Sequence, residues 1–100
     1  MLYAIINEDV ENSLPMRLKT RPAHLERLQL LQQEGRMILA GPHPNIDSED
    51  PSTSGFSGSL IVADFPSLET ARQWADEDPY NQAGIYSKVT VKPFKQVFPQ

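Results

Sequence analysis

Two short runs in this chain are apolar at every position, where an ordinary half-wet strand would alternate. Leu2-Tyr3-Ala4-Ile5-Ile6 and Leu60-Ile61-Val62-Ala63 offer no polar side to water. Each reads as a strand buried on both faces. A chain of 100 residues fits one domain and buries only a modest core. Two faces of one sheet need two covers, and so short a chain is pressed to supply both.

The remaining elements follow in order. Polar residues from Asn7 to Asn12 close the first strand. Ser13 to Leu18 reads as one helical turn with Ser13 as its cap. The main helix is expected from Pro22 to Glu34. Pro22 suits a first turn, and Gly35 suits the left-handed position after a helix end. Met37 to Ala40 is the second strand, and Gly41-Pro42 a turn. Pro42 to Gly55 reads as one long polar loop punctuated by prolines, which is either a lid or site wall, or a solvated connection. Ser59 to Phe65 is the third strand. Ser67 caps a second helix whose inward face carries Leu68, Ala71 and Ala75. Trp74 on it reads as packing rather than a cofactor stack. Pro79 pushes Asp78 out of helical geometry and ends that helix. Tyr86 to Lys92 alternates as a strand with one wetter side, and Pro93 confines it to an edge. Phe94, Val97 and Phe98 form an apolar tail that needs a surface.

Strand, helix, strand, strand, helix, strand is the split βαβ, ferredoxin-like α+β arrangement. Right-handed crossovers put both helices on one face of a four-stranded antiparallel sheet. The other face then lacks cover within the chain. A second copy is the simplest cover, and a homodimer is expected to bury Tyr3, Ile5 or their neighbours.

Composition removes several function classes. The net charge is −4, with 9 basic and 13 acidic residues and no basic block, which argues against nucleic acid. The chain has no cysteine, which excludes disulfides, thiolate metal sites and cysteine nucleophiles. The N-terminal apolar run lacks a positive leader and is too short for a membrane span, so a soluble cytoplasmic protein is expected. The two histidines, His24 and His43, have no carboxylate at a recognised ligand spacing, so no metal is expected. Walker, dinucleotide and serine-nucleophile signatures are absent, and no cofactor is expected.

The chemistry that remains centres on His24. Helical spacing puts it on one face with Leu28 and Leu31, so it is aimed inward. Near a helix start, the dipole would favour the neutral ring that a general base needs. A buried histidine satisfied by one hydrogen bond is the other reading. Asp78, at the end of the second helix, is placed to approach His24 and fix its tautomer, or it is a simple turn residue. Arg21 stands one turn before His24, where it either meets a substrate anion or sits on the surface.

Several segments together resemble one family. They are Arg21-Pro22-Ala23-His24-Leu25, Leu39-Ala40-Gly41-Pro42, Gly55-Phe56-Ser57-Gly58-Ser59, Trp74-Ala75-Asp76, Asp78-Pro79-Tyr80 and Val91-Lys92-Pro93-Phe94-Lys95. This set is similar to the YciI-like (YCII-related) family of small bacterial proteins over nearly the whole chain. The resemblance implies a dimeric ferredoxin-like α/β barrel with a histidine–aspartate centre, on which His24 and Asp78 fall. It implies that Gly41, Pro42 and Ser59 line a pocket. With Arg21 from the helix face and Tyr80 from the Asp-Pro-Tyr motif, they make up the expected substrate-binding set. The family also resembles muconolactone isomerases and a dehydrochlorinase acting on chlorinated hydroxyquinols. Two functions are therefore expected in outline. One is an acid/base enzyme of isomerase, lyase or dehydrochlorinase type that acts on a small oxygenated molecule, cyclic ones included. The other is a metabolite-binding or accessory dimer that does not turn its ligand over.

Overall fold

The computed structural model describes Met1–Gln100. Four strands, β1 (Leu2–Asp9), β2 (Met37–Pro44), β3 (Phe56–Asp64) and β4 (Tyr86–Phe94), form one antiparallel sheet in the order β2-β3-β1-β4. The helices are α1 (Leu14–Gln33), α2 (Leu68–Asp76) and the short α3 (Pro79–Gln82). A single 3₁₀ turn at Ser52–Ser54 sits in the loop between β2 and β3. This is the expected ferredoxin-like α+β fold, with α3 as an addition.

The sheet register shows which face is which. Ile5 stands opposite Ile61 on β3 and Val91 on β4. These residues, with Tyr3 and Ala63, pack against Leu31 of α1, Ala71 and Ala75 of α2, and Phe65. Tyr3 and Ile5 therefore face the chain's own helices, and of the residues expected on the uncovered side it is their strand neighbours that stand there. A register of period two fixes this, because both share the parity of the core residues. The open face instead carries Leu2, Ala4, Ile6, Leu60 and Val62, with Leu39 and Phe94 exposed at its edges. Val97 and Phe98 of the tail also find no cover, Phe98 being 74% exposed.

Several features differ from the sequence reading. First, β1 runs on to Asp9, because Asn7 and Glu8 continue both ladders and Asn7 spends its amide on Ser59. Second, α1 is one continuous helix. Pro15 occupies its first turn, and Pro22 lies inside it on an exposed face. Pro22 has no N–H for the carbonyl one turn back. The packing of one face from Arg17 to Leu31 outweighs that local cost. Third, Ser13 does stand before the helix, but its hydroxyl donates to Asp9 rather than capping. Fourth, β2 continues to Pro44. It is an edge strand, where a proline's missing N–H is harmless. The expected Pro42–Gly55 loop shrinks to residues 45–55.

Other signals hold. Gly35 has φ +73°, Gly35 N–H donates to Gln32 O, and Arg36 N–H to Leu31 O, a left-handed stop for α1. Ser67 and Thr70 cap α2 reciprocally. Trp74 packs against the core, with the Arg27 guanidinium 4.3 Å above its ring. Pro93 lies on β4, an edge. No helix is long and apolar enough to cross a membrane.

Candidate functional site

A continuous α1 carries one stripe of side chains toward the sheet: Arg17, Arg21, His24, Leu28 and Leu31. Leu28 and Leu31 join the core. The three polar members stand where α1 and the β2 edge part, and a cavity of about 300 Å³ opens there. His24, Arg17, Arg21 and Tyr80 line it, Ser59 and Ile61 line it from β3, and Gly41 and Pro42 from β2.

His24 is 8% exposed and Asp78 2%. His24 Nδ1 lies 2.8 Å from Asp78 Oδ1. Asp78 caps the start of α3, with φ −57° and ψ 127° ahead of Pro79, and its Oδ1 also accepts from the Tyr80 N–H at 2.9 Å. It is thus a turn residue and a histidine partner at once. A carboxylate oxygen that accepts twice leaves Nδ1 as the donor. In the neutral ring Nε2 then holds the lone pair, and no protein group bonds it. Its place well inside α1 removes the helix-end argument expected for it, because dipole effects fade within the first turn.

Tyr80 supports the imidazole from the side. The two rings are parallel within 4°, with centres 3.9 Å apart. Its hydroxyl donates to Arg17 O, and burial pushes its pKa up against the opposing charges of Arg17 and Arg21. Behind it, Tyr86 meets Tyr80 edge-on, and burial, followed by the Asp78 charge, pushes its pKa well above the ordinary tyrosine value. Ser59 Oγ lies 3.3 Å from the Tyr86 hydroxyl and accepts from Asn7 Nδ2 at 3.0 Å.

Sequence reasoning missed Arg17 and its partner. Arg17 Nε and Nη2 grip the two oxygens of Asp9 at 2.6 and 2.9 Å, and Nη2 also reaches Gly58 O. Burial disfavours the Arg17 charge, but Asp9 outweighs it, so the guanidinium pKa is held above its ordinary value. The signal was present, since position 17 is two turns before 24 on the same face once the helix is read as unbroken.

The structure thus gathers His24, Arg21, Gly41, Pro42, Ser59 and Tyr80 around one cavity, with Asp78 behind His24. It does not bring the rest of the expected loop there. Residues 45–55 border separate polar hollows beside Asn12 and Asn45, and only Phe56, just past the loop, reaches the cavity wall. His43 is exposed on β2 at the open-face side of the sheet, opposite Gly58.

The fold agrees with that of similar proteins. The chain belongs to the YCII-related domain family. The match covers residues 1–95. Protein YciI of Escherichia coli is 58% identical over 98 residues, which is 98% of this chain and 100% of that one. An uncharacterized protein of Haemophilus influenzae is 51% identical over the same length. A more distant relative, 34% identical over 90 residues and 85% of each chain, is the derivative of benzaldehyde biosynthesis cluster protein C of Emericella nidulans. Among solved structures, 5-chloro-2-hydroxyhydroquinone dehydrochlorinase (TftG) of Burkholderia phenoliruptrix, in complex with 2,5-dihydroxybenzoquinone, superposes with a TM-score of 0.83. That alignment covers 95% of this chain and 94% of the other at 24% identity, so it bears on the fold. The two chains accordingly share the ferredoxin-like α+β fold.

Proposed function

We propose that this YCII-related protein is an acid/base enzyme acting on a small oxygenated molecule in the α1–β2 cavity. One observation carries the reading: His24 is buried against Asp78 at 2.8 Å on the cavity wall, with Nε2 unpartnered. Asp78 orients the ring and supports the charge that forms when Nε2 takes a proton. His24 then returns that proton elsewhere on the substrate, which is an isomerisation, or the substrate expels a leaving group, which is an elimination. Positioned proton transfer of this kind is worth roughly 10²–10⁴-fold. Neither route calls for a metal or redox cofactor. A cavity of about 300 Å³ is at the small end for ligand sites and suits a single substituted ring. The dehydrochlorinase likeness and the biosynthesis-cluster relative support a small-molecule substrate.

The test is solvent deuterium incorporation, followed by NMR, into a panel of hydroxyquinols, quinones and lactones. The reading expects exchange at an acidic carbon with the native protein and none with His24→Asn. Asp78→Asn should slow exchange more than it weakens binding. A panel member that binds tightly yet never exchanges would favour the second reading, a metabolite-binding or accessory protein. One observation favours that reading: the other hydroxyls at the wall, Tyr80 and Ser59, are already engaged with Arg17 O, Asn7 and Tyr86.

The working unit in this proposal is a cytoplasmic homodimer. The open sheet face, with Ile6, Leu60 and Leu39, would meet the same face of a second copy and close the barrel, and the Phe98 tail would cross over. Sedimentation equilibrium at micromolar concentration should give a dimer that Phe98→Asp weakens. A monomer would overturn this.

A further inference from the structure

The cavity wall has a charge character opposite to that of the whole chain. The chain carries −4, yet the wall holds two arginines, Arg17 and Arg21, and no aspartate or glutamate. The two carboxylates nearby are turned away from it, Asp9 toward Arg17 and Asp78 toward His24.

Arg17 is built as a donor. A guanidinium has five N–H groups. Nε–H goes to Asp9 Oδ2, and the two on Nη2 go to Asp9 Oδ1 and Gly58 O. The pair on Nη1 has no acceptor in the protein, and that nitrogen is not sealed from solvent. Arg17 is only 6% exposed, and it lines the cavity. Phe56 and Tyr80 hold the head in place, with ring centres 5.2 and 5.0 Å from Cζ. Its partner Asp9 is fixed in turn by the Ser13 hydroxyl at 2.6 Å. The two Nη1 donors are thus pre-aimed, and they need no rearrangement to meet a ligand.

Tyr80 sets the spacing. His24 stacks on its ring and Arg17 also contacts it. An acceptor at Nη1 therefore sits within about the reach of one substituted ring from the imidazole. Arg21, between Arg17 and His24 on the helix face, is exposed and supplies the net positive charge that Asp9 cancels at Arg17.

We infer that Arg17, aided by Arg21, forms an anion subsite, and that the ligand is a ring compound bearing a carboxylate or an ionised enol or phenol oxygen. This rests on the cavity being the ligand site, not on proton transfer at His24. Neutral lactones and quinones without an anionic oxygen would be poor ligands.

The probes are 3,4-dihydroxybenzoate and its amide, titrated calorimetrically into the full chain at low ionic strength. The acid should bind roughly tenfold or more tightly than the amide, as charge-assisted hydrogen bonds imply. Arg17→Lys keeps a cation beside Asp9 but loses the Nη1 fork, so it should remove most of that advantage and leave the amide unchanged. If Arg17→Lys fails to fold by urea titration, Asp9→Asn with Arg17→Met removes the buried pair together and should give the same loss. Arg21→Gln should flatten the salt dependence of acid binding. Equal affinity for acid and amide, no binding of either at millimolar concentration, or an acid preference that survives the Arg17 variants would overturn the subsite. An unmoved salt dependence would remove Arg21 from it. Binding is read without turnover. Loss of acid preference therefore leaves His24 chemistry standing, and absence of deuterium exchange leaves the subsite standing.

Discussion

Asp9 and Asp78 are matched in burial and opposite in consequence. Each side chain is 2% exposed, and each grips a residue on the same face of α1, Arg17 and His24, two turns apart. Asp9 meets a guanidinium that never gives up its proton. The result is a strut tying β1, α1 and, through Gly58 O, β3 together. Asp78 meets an imidazole, a ring that can carry a proton on either nitrogen, and it leaves one ring nitrogen free. The same buried carboxylate fixes structure in one place and, under the proposed function, prepares chemistry in the other. The partner's proton chemistry makes the difference, not the geometry of the pair.

The largest expected effect comes from breaking the strut. Asp9→Ala strands a buried guanidinium and should destabilise by about 3–5 kcal/mol in urea unfolding. Asp9→Asn combined with Arg17→Met should recover much of that loss, since it leaves no lone charge. Asp78→Ala removes the α3 cap and the His24 partner, but a histidine can stay neutral, so about 1–3 kcal/mol is expected. Equal losses from the two aspartates would erase the contrast. Tyr86→Phe, which removes one hydroxyl contact behind the site, should cost about 0.5–1.5 kcal/mol at neutral pH.

The tyrosines sharpen the contrast through pH. Burial raises the folded pKa of Tyr80 and Tyr86 above the ordinary value of 10.0. In that window the unfolded chain loses its phenolic protons while the folded one keeps them. The stabilisation is whole below pH 10 and falls as pH rises above it. Urea midpoints should decline above pH 10, and less steeply in Tyr86→Phe. An identical alkaline decline in that variant would mean Tyr86 is not the group responsible.

Much of this was readable from the chain because it rests on local or periodic signals. Strand parity, the Gly35 stop, the Ser67 cap and Pro79 after Asp78 each act within a few residues. They set the ferredoxin-like order, and that order brings His24, Asp78 and the residues expected to bind substrate into one region. What failed was competition between local and distant terms. Pro22 looks like a helix start, yet the packing of the Arg17–Leu31 face carries the helix through it. Reading that proline locally hid Arg17 and misplaced His24 at a helix end. Asn7 and Glu8 look like a turn, yet two neighbouring strands hold them in the sheet. Whether Tyr3 and Ile5 or their neighbours meet the open face is not legible, because a run apolar at both parities cannot say which parity meets the helices. Asp9 as a partner of Arg17 is eight residues away across a turn, where no periodic rule applies.

The most direct check is the tautomer of His24, read from long-range ¹H–¹⁵N NMR correlations of the imidazole ring in native protein and in Asp78→Asn. In the neutral ring the account predicts a protonated Nδ1 and a lone pair on Nε2 facing the cavity, with that preference lost or reversed in Asp78→Asn. A native ring protonated on Nε2, or a preference indifferent to Asp78, would contradict it and leave His24 a packed histidine beside a cap.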